Sequence, residues 1–154
     1  MLKARTTLNV NSYHIRQIAC NTYIRAQWET ILYDVQGFDI TADMNYMKTY
    51  YVYKCPRIGP IGIADRDFVL SQQVYCDFPE PGMLTAIFKS VKDPRFPTIK
   101  NRVRATCHIM ALVIKPDKDE KGKDISHCML VTNIDINGMV PKWIVNIASR
   151  SAPA

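Results

Sequence analysis

A chain of 154 residues with 47% apolar and 22% charged residues has the make-up of one ordinary globular domain, which sets aside a disordered tail, a coiled coil and a small disulfide scaffold. Twenty Lys and Arg against fourteen Asp and Glu leave a formal charge of +6, which favours anionic surfaces without choosing between lipid headgroups and nucleic acid. No apolar run reaches the roughly 18 residues that cross a bilayer, and residues 1–17 contain no signal-like apolar block, so a soluble, cytoplasmic protein is expected.

Residues 3–10, Lys3 to Val10, alternate and are rich in β-branched types, which predicts a strand. Ser12 precedes apolar or aromatic residues at Tyr13, Ile15, Ile18, Ala19, Tyr23, Ile24 and Ala26, a spacing that predicts a helix capped by Ser12. Trp28, Ile31, Leu32 and Val35 extend it or form a second short helix ending near Gly37. From Met44 the period changes: Met44 to Cys55 holds four tyrosines, two methionines and a valine without Pro or Gly, and reads as strand. Cys55 to Gly62 contains two prolines and two glycines and is a turn or loop. Strands follow over Arg66–Phe78, Met83–Val91, Arg102–Lys115 and Ile125–Ile136, separated by Pro79–Gly82, an exposed loop at 92–101 and a charged turn at 117–124. Asn137-Gly138 is a turn, and Pro141 opens a final helix carrying Trp143, Ile144, Ile147 and Ala148. Consecutive strands with helices segregated around them make an antiparallel meander in an α+β domain, a single unit over residues 1–154.

Chemistry is sparse along this chain. Cys20, Cys55, Cys76, Cys107 and Cys128 all lie more than twenty residues apart, so no CxxC pair exists and a reducing compartment is expected. Cys107-His108 and His127-Cys128 sit in strand-like runs, where neighbours point to opposite faces; they read as small buried thiols rather than as a nucleophile or a metal site. Gly59 and Gly62 lie among prolines and precede a strand, whereas a phosphate-binding loop needs a helix after its turn. No catalytic residue, metal or cofactor is expected, and the aromatic pattern of an RNA-recognition sheet is missing, so nucleic acid is not an expected partner.

Arg66-Asp-Phe-Val69 preceded by Tyr51-Val-Tyr-Lys-Cys-Pro56, together with Arg25-Ala-Gln-Trp28-Glu29, Val103-Arg-Ala105, and Asp135-Ile-Asn-Gly138-Met-Val-Pro141 followed by Trp143 and Asn146, resembles the StAR-related lipid transfer family, the START domains. The resemblance implies a helix-grip fold: a curved antiparallel sheet around a long C-terminal helix, with a tunnel that holds one lipid and does no covalent chemistry. A tail gains about 0.8 kcal/mol per CH₂ moved from water into such a site. On this resemblance the tunnel is lined by Tyr51, Tyr53, Arg66, Phe68, Leu70, Gln72, Met110, Met129, Trp143 and Ile147, each apolar member having core packing as its alternative.

The loop from Lys92 to Asn101 is then the lid facing the last helix. Lys92, Arg95, Lys100 and Arg102 meet an anionic membrane transiently while Phe96 enters the interface, which implies a protein peripheral to membranes. Arg66 either forks to a phosphate or carboxylate oxygen or pairs with Asp65 or Asp67. Tyr50, Tyr51, Tyr53 and Tyr75 either cage a choline head or turn their hydroxyls to the surface.

Sterol-binding members carry a basic residue six positions after the motif's arginine and an acidic partner on the preceding strand; here Gln72 and Tyr53 stand there. The family also has a helix and two strands before the segment matching Lys3 to Val10, and a longer last helix, which implies a fragment or a reduced domain. The alternative from another class is a regulatory module that docks on membranes or a protein partner without transferring lipid.

Overall fold

The computed structural model describes residues 1–55, 57–58 and 61–138. The helix expected from Pro141 lies outside them.

The chain opens with strand β1 (Leu2–Leu8) and two helices, α1 (Ser12–Cys20) and α2 (Thr22–Trp28). Asn11, not Ser12, caps α1, its side-chain oxygen accepting from the His14 N–H at 3.0 Å. Asn21 ends α1 and caps α2 by accepting from the Tyr23 and Ile24 N–H groups at 3.0 and 3.2 Å. An Asn at a helix boundary competes with the backbone for these donors, which is why the apolar spacing breaks into two helices there.

The expected continuation of helix toward Gly37 does not form. Leu32–Phe38 is a strand, β2, because it pairs antiparallel with β3 (Tyr46–Tyr53). The run Ile31, Leu32, Val35 is too short for its period to separate helix from strand, and the pairing decides.

The segment expected as a loop holds a short pairing of β4 (Arg57–Ile58) with β5 (Ile61–Gly62). Four longer strands and one short one follow: β6 (Asp65–Cys76), β7 (Leu84–Ser90), β8 (Arg102–Arg104), β9 (Thr106–Lys118) and β10 (Asp124–Asp135). The long strand expected from Arg102 is broken at Ala105. β8 runs parallel to β6, the Ala105 N–H closes on the Asp67 carbonyl at 2.9 Å, and β9 then joins β7.

The main sheet runs β1-β10-β9-β7-β6-β3-β2, with β8 beside β6. Both helices cover one face of it. On that face Tyr51, Phe68, Leu70, Val74, Ala86, Phe88 and Cys107 are buried with Cys20, and Ala26 of α2 packs against them. Cross-strand pairs Tyr51↔Phe68, Thr49↔Leu70, Gln72↔Phe88 and Phe88↔Met110 set this face by the two-residue period of a strand.

The opposite face has its own cluster of Tyr50, Val52 and Val69, onto which Phe38, Val91 and Phe96 fold. The Phe96 ring lies 4.7 Å from Tyr50 and 4.8 Å from Phe38, centroid to centroid. Arg95 bridges Asp39 at 2.7 Å and Asp93 at 2.8 Å, and Lys48 reaches the same two carboxylates at 2.9 and 3.2 Å. This loop is pinned to the face away from the helices.

The ion pairs give the loop an acid limit. Hydrogen bonds from Arg95, then Lys48, hold the Asp39 carboxyl down to about 2, and Arg95 also holds Asp93 well below the usual carboxylate range. Carboxylates that stay charged in the folded state but would be protonated in the unfolded chain stabilise the fold fully above the ordinary carboxylate range; that contribution fades as pH falls toward about 2. The melting temperature is expected to fall over this window, and Arg95→Ala is expected to flatten the fall. An unchanged acid limb in that variant would exclude the pairing as its source.

Candidate functional site

Between α2, the ends of β3 and β10, and the helix-covered face of β6 and β9 lies a cavity of about 410 Å³. Phe68 and Leu70 of β6 and Cys107 and Met110 of β9 form its inner wall, and Ile31, Ile63, Ile134 and Ile136 line it toward the outside. Ile31 is 53% exposed, Ile134 42% and Ile136 37%, so the opening is apolar. Ile134 and Ile136 continue the inward alternation that Cys128 sets along β10; the irregularity there belongs to β9, where His108 is the extra residue between Ile109, opposite Asn133, and Cys107, opposite Ile134.

Polar groups reach the cavity in two places. On α2, Arg25 and Glu29 lie four residues apart, on one face of the helix, and the Arg25 Nε donates to the Glu29 carboxylate at 2.5 Å. Arg25 Nη2 donates to the Tyr53 hydroxyl at 3.2 Å, and its guanidinium stands 5.4 Å from the Tyr51 ring centroid. Burial pushes the Tyr53 phenol up, so it stays protonated at neutral pH.

The second place is Arg66, 4% exposed. It donates from Nε to the Ile136 carbonyl at 3.0 Å and from Nη2 to the Asn137 carbonyl at 2.9 Å. Its Nη1 donates to the Ala64 carbonyl and lies 3.9 Å from the Cys55 sulfur. Asn137 and Gly138 both turn at positive φ, 48° and 70°, which presents these carbonyls. A Cβ at 138 would come within 3.3 Å of Arg66 Nη2.

Burial pushes the Cys20 thiol up to about 11 and raises that of cavity-lining Cys107 as well, so both are held protonated. Among the described residues no cluster of His, Cys, Asp or Glu is arranged to hold a metal.

The START domain model matches residues 11–152. The chain belongs to the START family. No curated protein is similar enough in sequence to count as a match. Among solved structures, human STARD10 superposes with a TM-score of 0.77 at 22% identity, covering 96% of this chain and 56% of that one. The lipid transfer and protein localization domain of human StarD13 (DLC2) gives 0.71 at 22%, covering 92% and 66%. Human StAR-related lipid transfer protein 5 gives 0.76 at 16%, covering 96% and 67%. The likeness is one of fold, the curved antiparallel sheet of the helix-grip architecture, and the chain spans little more than half the length of STARD10. START homologues are lipid-binding domains, in general without enzymatic activity.

Within this START fold, Tyr53, Arg66, Phe68, Leu70 and Met110 come together around the cavity as their strand positions imply. Tyr51 and Gln72 point to the same face but are packed, each 1% exposed. The Thr22 hydroxyl lies 3.2 Å from the Tyr51 hydroxyl, and Gln72 donates its amide to the Cys20 carbonyl at 2.9 Å. The Gln72 side-chain oxygen has no hydrogen-bond partner among the described residues.

Met129 is a correction. It pairs with Val113 on the face away from the helices and lines a separate depression with Arg5 and His127, because its neighbour Cys128 takes the inward position. Trp143 and Ile147 lie outside the described residues.

Phe96 is not offered to a membrane but stacked on Tyr50, and Arg95 is tied into carboxylates, whereas Lys92 and Lys100 are exposed. Arg66 pairs with neither Asp65 nor Asp67: Asp65 accepts from the Tyr33 hydroxyl and the Cys55 N–H, and Asp67 from Arg104. A tyrosine cage does not assemble either, since Tyr50 faces away from Tyr51 and Tyr53 and Tyr75 packs beside Phe78.

Sequence reasoning did not single out Arg25 and Glu29 as cavity residues, although their i,i+4 spacing on a helix is a readable sign of a shared face.

Proposed function

We propose that this chain binds one lipid in the cavity beside α2, takes it up and releases it at a bilayer surface, and makes or breaks no bond in it. The observation that carries this reading is the void itself. Phe68, Leu70, Cys107 and Met110 occupy positions that strand alternation assigns to a packed core, yet their side chains line about 410 Å³ of open space. That volume lies within the roughly 300–1,000 Å³ range of small-molecule sites, and lining it with apolar atoms has a reason only if an apolar body fills it.

The exposed isoleucines at the opening support uptake from a bilayer, because they would otherwise be an unexplained apolar rim. Arg25, Glu29 and Tyr53 offer a polar end that can meet a headgroup without leaving a charge unpaired. Lys92 and Lys100 of the loop at 92–101 are exposed and have no ion pair among the described residues, available to attract an anionic membrane over a distance of about one Debye length.

Native mass spectrometry after incubation with mixed-lipid vesicles tests the proposal. A bound mass of one lipid per chain is expected. Protein recovered ligand-free after repeated exposure would remove lipid carriage, and co-sedimentation with vesicles in that same preparation would replace it with docking alone.

A further inference from the structure

The charges around the cavity do not balance. Its described lining holds three cations, Arg25, Lys54 and Arg66, and one carboxylate, Glu29, which is already paired with Arg25. Among the described residues Lys54 and Arg66 are left without a counter-charge. Lys54 sits at the opening, its ammonium 5.7 Å from the Tyr33 ring centroid. Arg66 is the more unusual of the two, because it is buried and its conventional acceptors among the described residues are all backbone carbonyls, those of Ile136, Ala64 and Asn137.

Carbonyl dipoles solvate a guanidinium but cancel none of its net charge, and in a site walled by isoleucine, phenylalanine and methionine the field of that charge is weakly screened. The nearby acids are committed elsewhere, Asp65 to Tyr33 and Cys55 and Asp67 to Arg104. Residues 139–154 contain no Asp or Glu. A guanidinium carries five N–H donors. Three go to the carbonyls and one to the Cys55 sulfur at 3.9 Å, a weak acceptor, so one on Nη2 has no partner among the described residues. Gly138 keeps the flank of that nitrogen clear, since a Cβ there would lie 3.3 Å from it.

We propose that the cavity selects an anionic amphipath, one whose polar end is a carboxylate or phosphate without a compensating cation, and that Arg66 and Lys54 supply the preference. The inference rests on the cavity being the lipid site. It adds the sign of the ligand's charge, which the apolar lining alone leaves open.

Displacement of a neutral, environment-sensitive dye from the full chain at neutral pH, below the ligands' micelle concentrations, tests it with three ligands sharing one alkyl chain: palmitate, hexadecanol and palmitoyl lysophosphatidylcholine. Palmitate is expected to bind about tenfold more tightly than either other ligand, the size of effect one charge-assisted contact gives. Lys54→Gln is expected to cut that ratio by about threefold, as an exposed cation's share, and Glu29→Gln to raise it. Arg66→Lys keeps the charge while losing the fork, so it is expected to retain the palmitate preference. Arg66→Gln, if it folds, is expected to abolish that preference. Equal affinity for palmitate and hexadecanol, or a zwitterion bound as tightly as palmitate, would overturn the charge preference and leave lipid binding intact. Failure of all three to displace the dye would instead overturn the lipid site.

Discussion

Replacing Asp67 with alanine is expected to destabilise the protein by about 3–5 kcal/mol, the usual result of removing one member of a buried ion pair. Asp67 is 1% exposed on the face away from the helices. It accepts from Arg104 Nε at 2.8 Å, from Arg104 Nη2 at 3.0 Å and from the Tyr50 hydroxyl at 3.1 Å, while Arg102 donates to that same hydroxyl at 2.9 Å. Alanine would leave the partly buried Arg104 guanidinium without its anion.

Arg104 also donates to the carbonyls of Phe96 and Pro97, so the loop that carries Phe96 is expected to loosen with it. The contrast is Lys118 and Asp124, whose contact is shorter at 2.6 Å but whose side chains are 63% and 51% exposed. There Asp124→Ala is expected to change stability by no more than about 0.5 kcal/mol, because water solvates both charges when they part. Urea denaturation of the two variants decides the matter; a loss below about 1 kcal/mol for Asp67→Ala would mean that Arg104 finds another partner or reaches water.

Met110→Trp is expected to lower lipid uptake by about tenfold while changing stability by less than about 1.5 kcal/mol. Met110 points from β9 into the cavity, so a larger side chain there occupies space that holds no protein atoms. Ala86→Trp is the control. Ala86 is 2% exposed in the packed cluster on the same sheet face, and the added rings have nowhere to go, so this variant is expected to unfold or to lose several kcal/mol. Lipid bound per chain, read by mass spectrometry, and the urea midpoint separate the two effects. If Met110→Trp is as destabilising as Ala86→Trp, the space beside Met110 is not open in solution.

How much of this was legible beforehand depends on which physical rule the residues obey. The family resemblance named Tyr53, Phe68, Leu70 and Met110 together, and the structure brings them to one face and one cavity. Strand alternation excludes the expected pairing of Arg66 with Asp67, because neighbours on a strand diverge; Arg66 goes inward and Asp67 outward. It also sends Met129 outward once Cys128 is known to be inside.

Other features were written in long-range pairing that no local pattern reveals. β2 became a strand through its register with β3, and Cys107 faces the same cavity as Met110, three positions along β9, through the extra residue His108 opposite the Asn133–Ile134 step of β10. The loop at 92–101 looked like a free basic lid because its composition is polar. Its anchors, Asp39 and Lys48 for Arg95 and Asp93, and Phe38 and Tyr50 for Phe96, come from distant β2–β3 positions.

The first strand of the chain finds its only sheet neighbour near the far end of the described fold. Leu2 lies opposite Thr132 and Leu8 opposite Ser126, so among the described strands β1 has no partner until β10 has been made. During synthesis residues 2–8 must therefore wait for this pairing while more than a hundred others leave the ribosome. Lys3 and Arg5, whose charges stand out from that waiting ribbon, are well placed to discourage it from sticking to another nascent copy in the meantime.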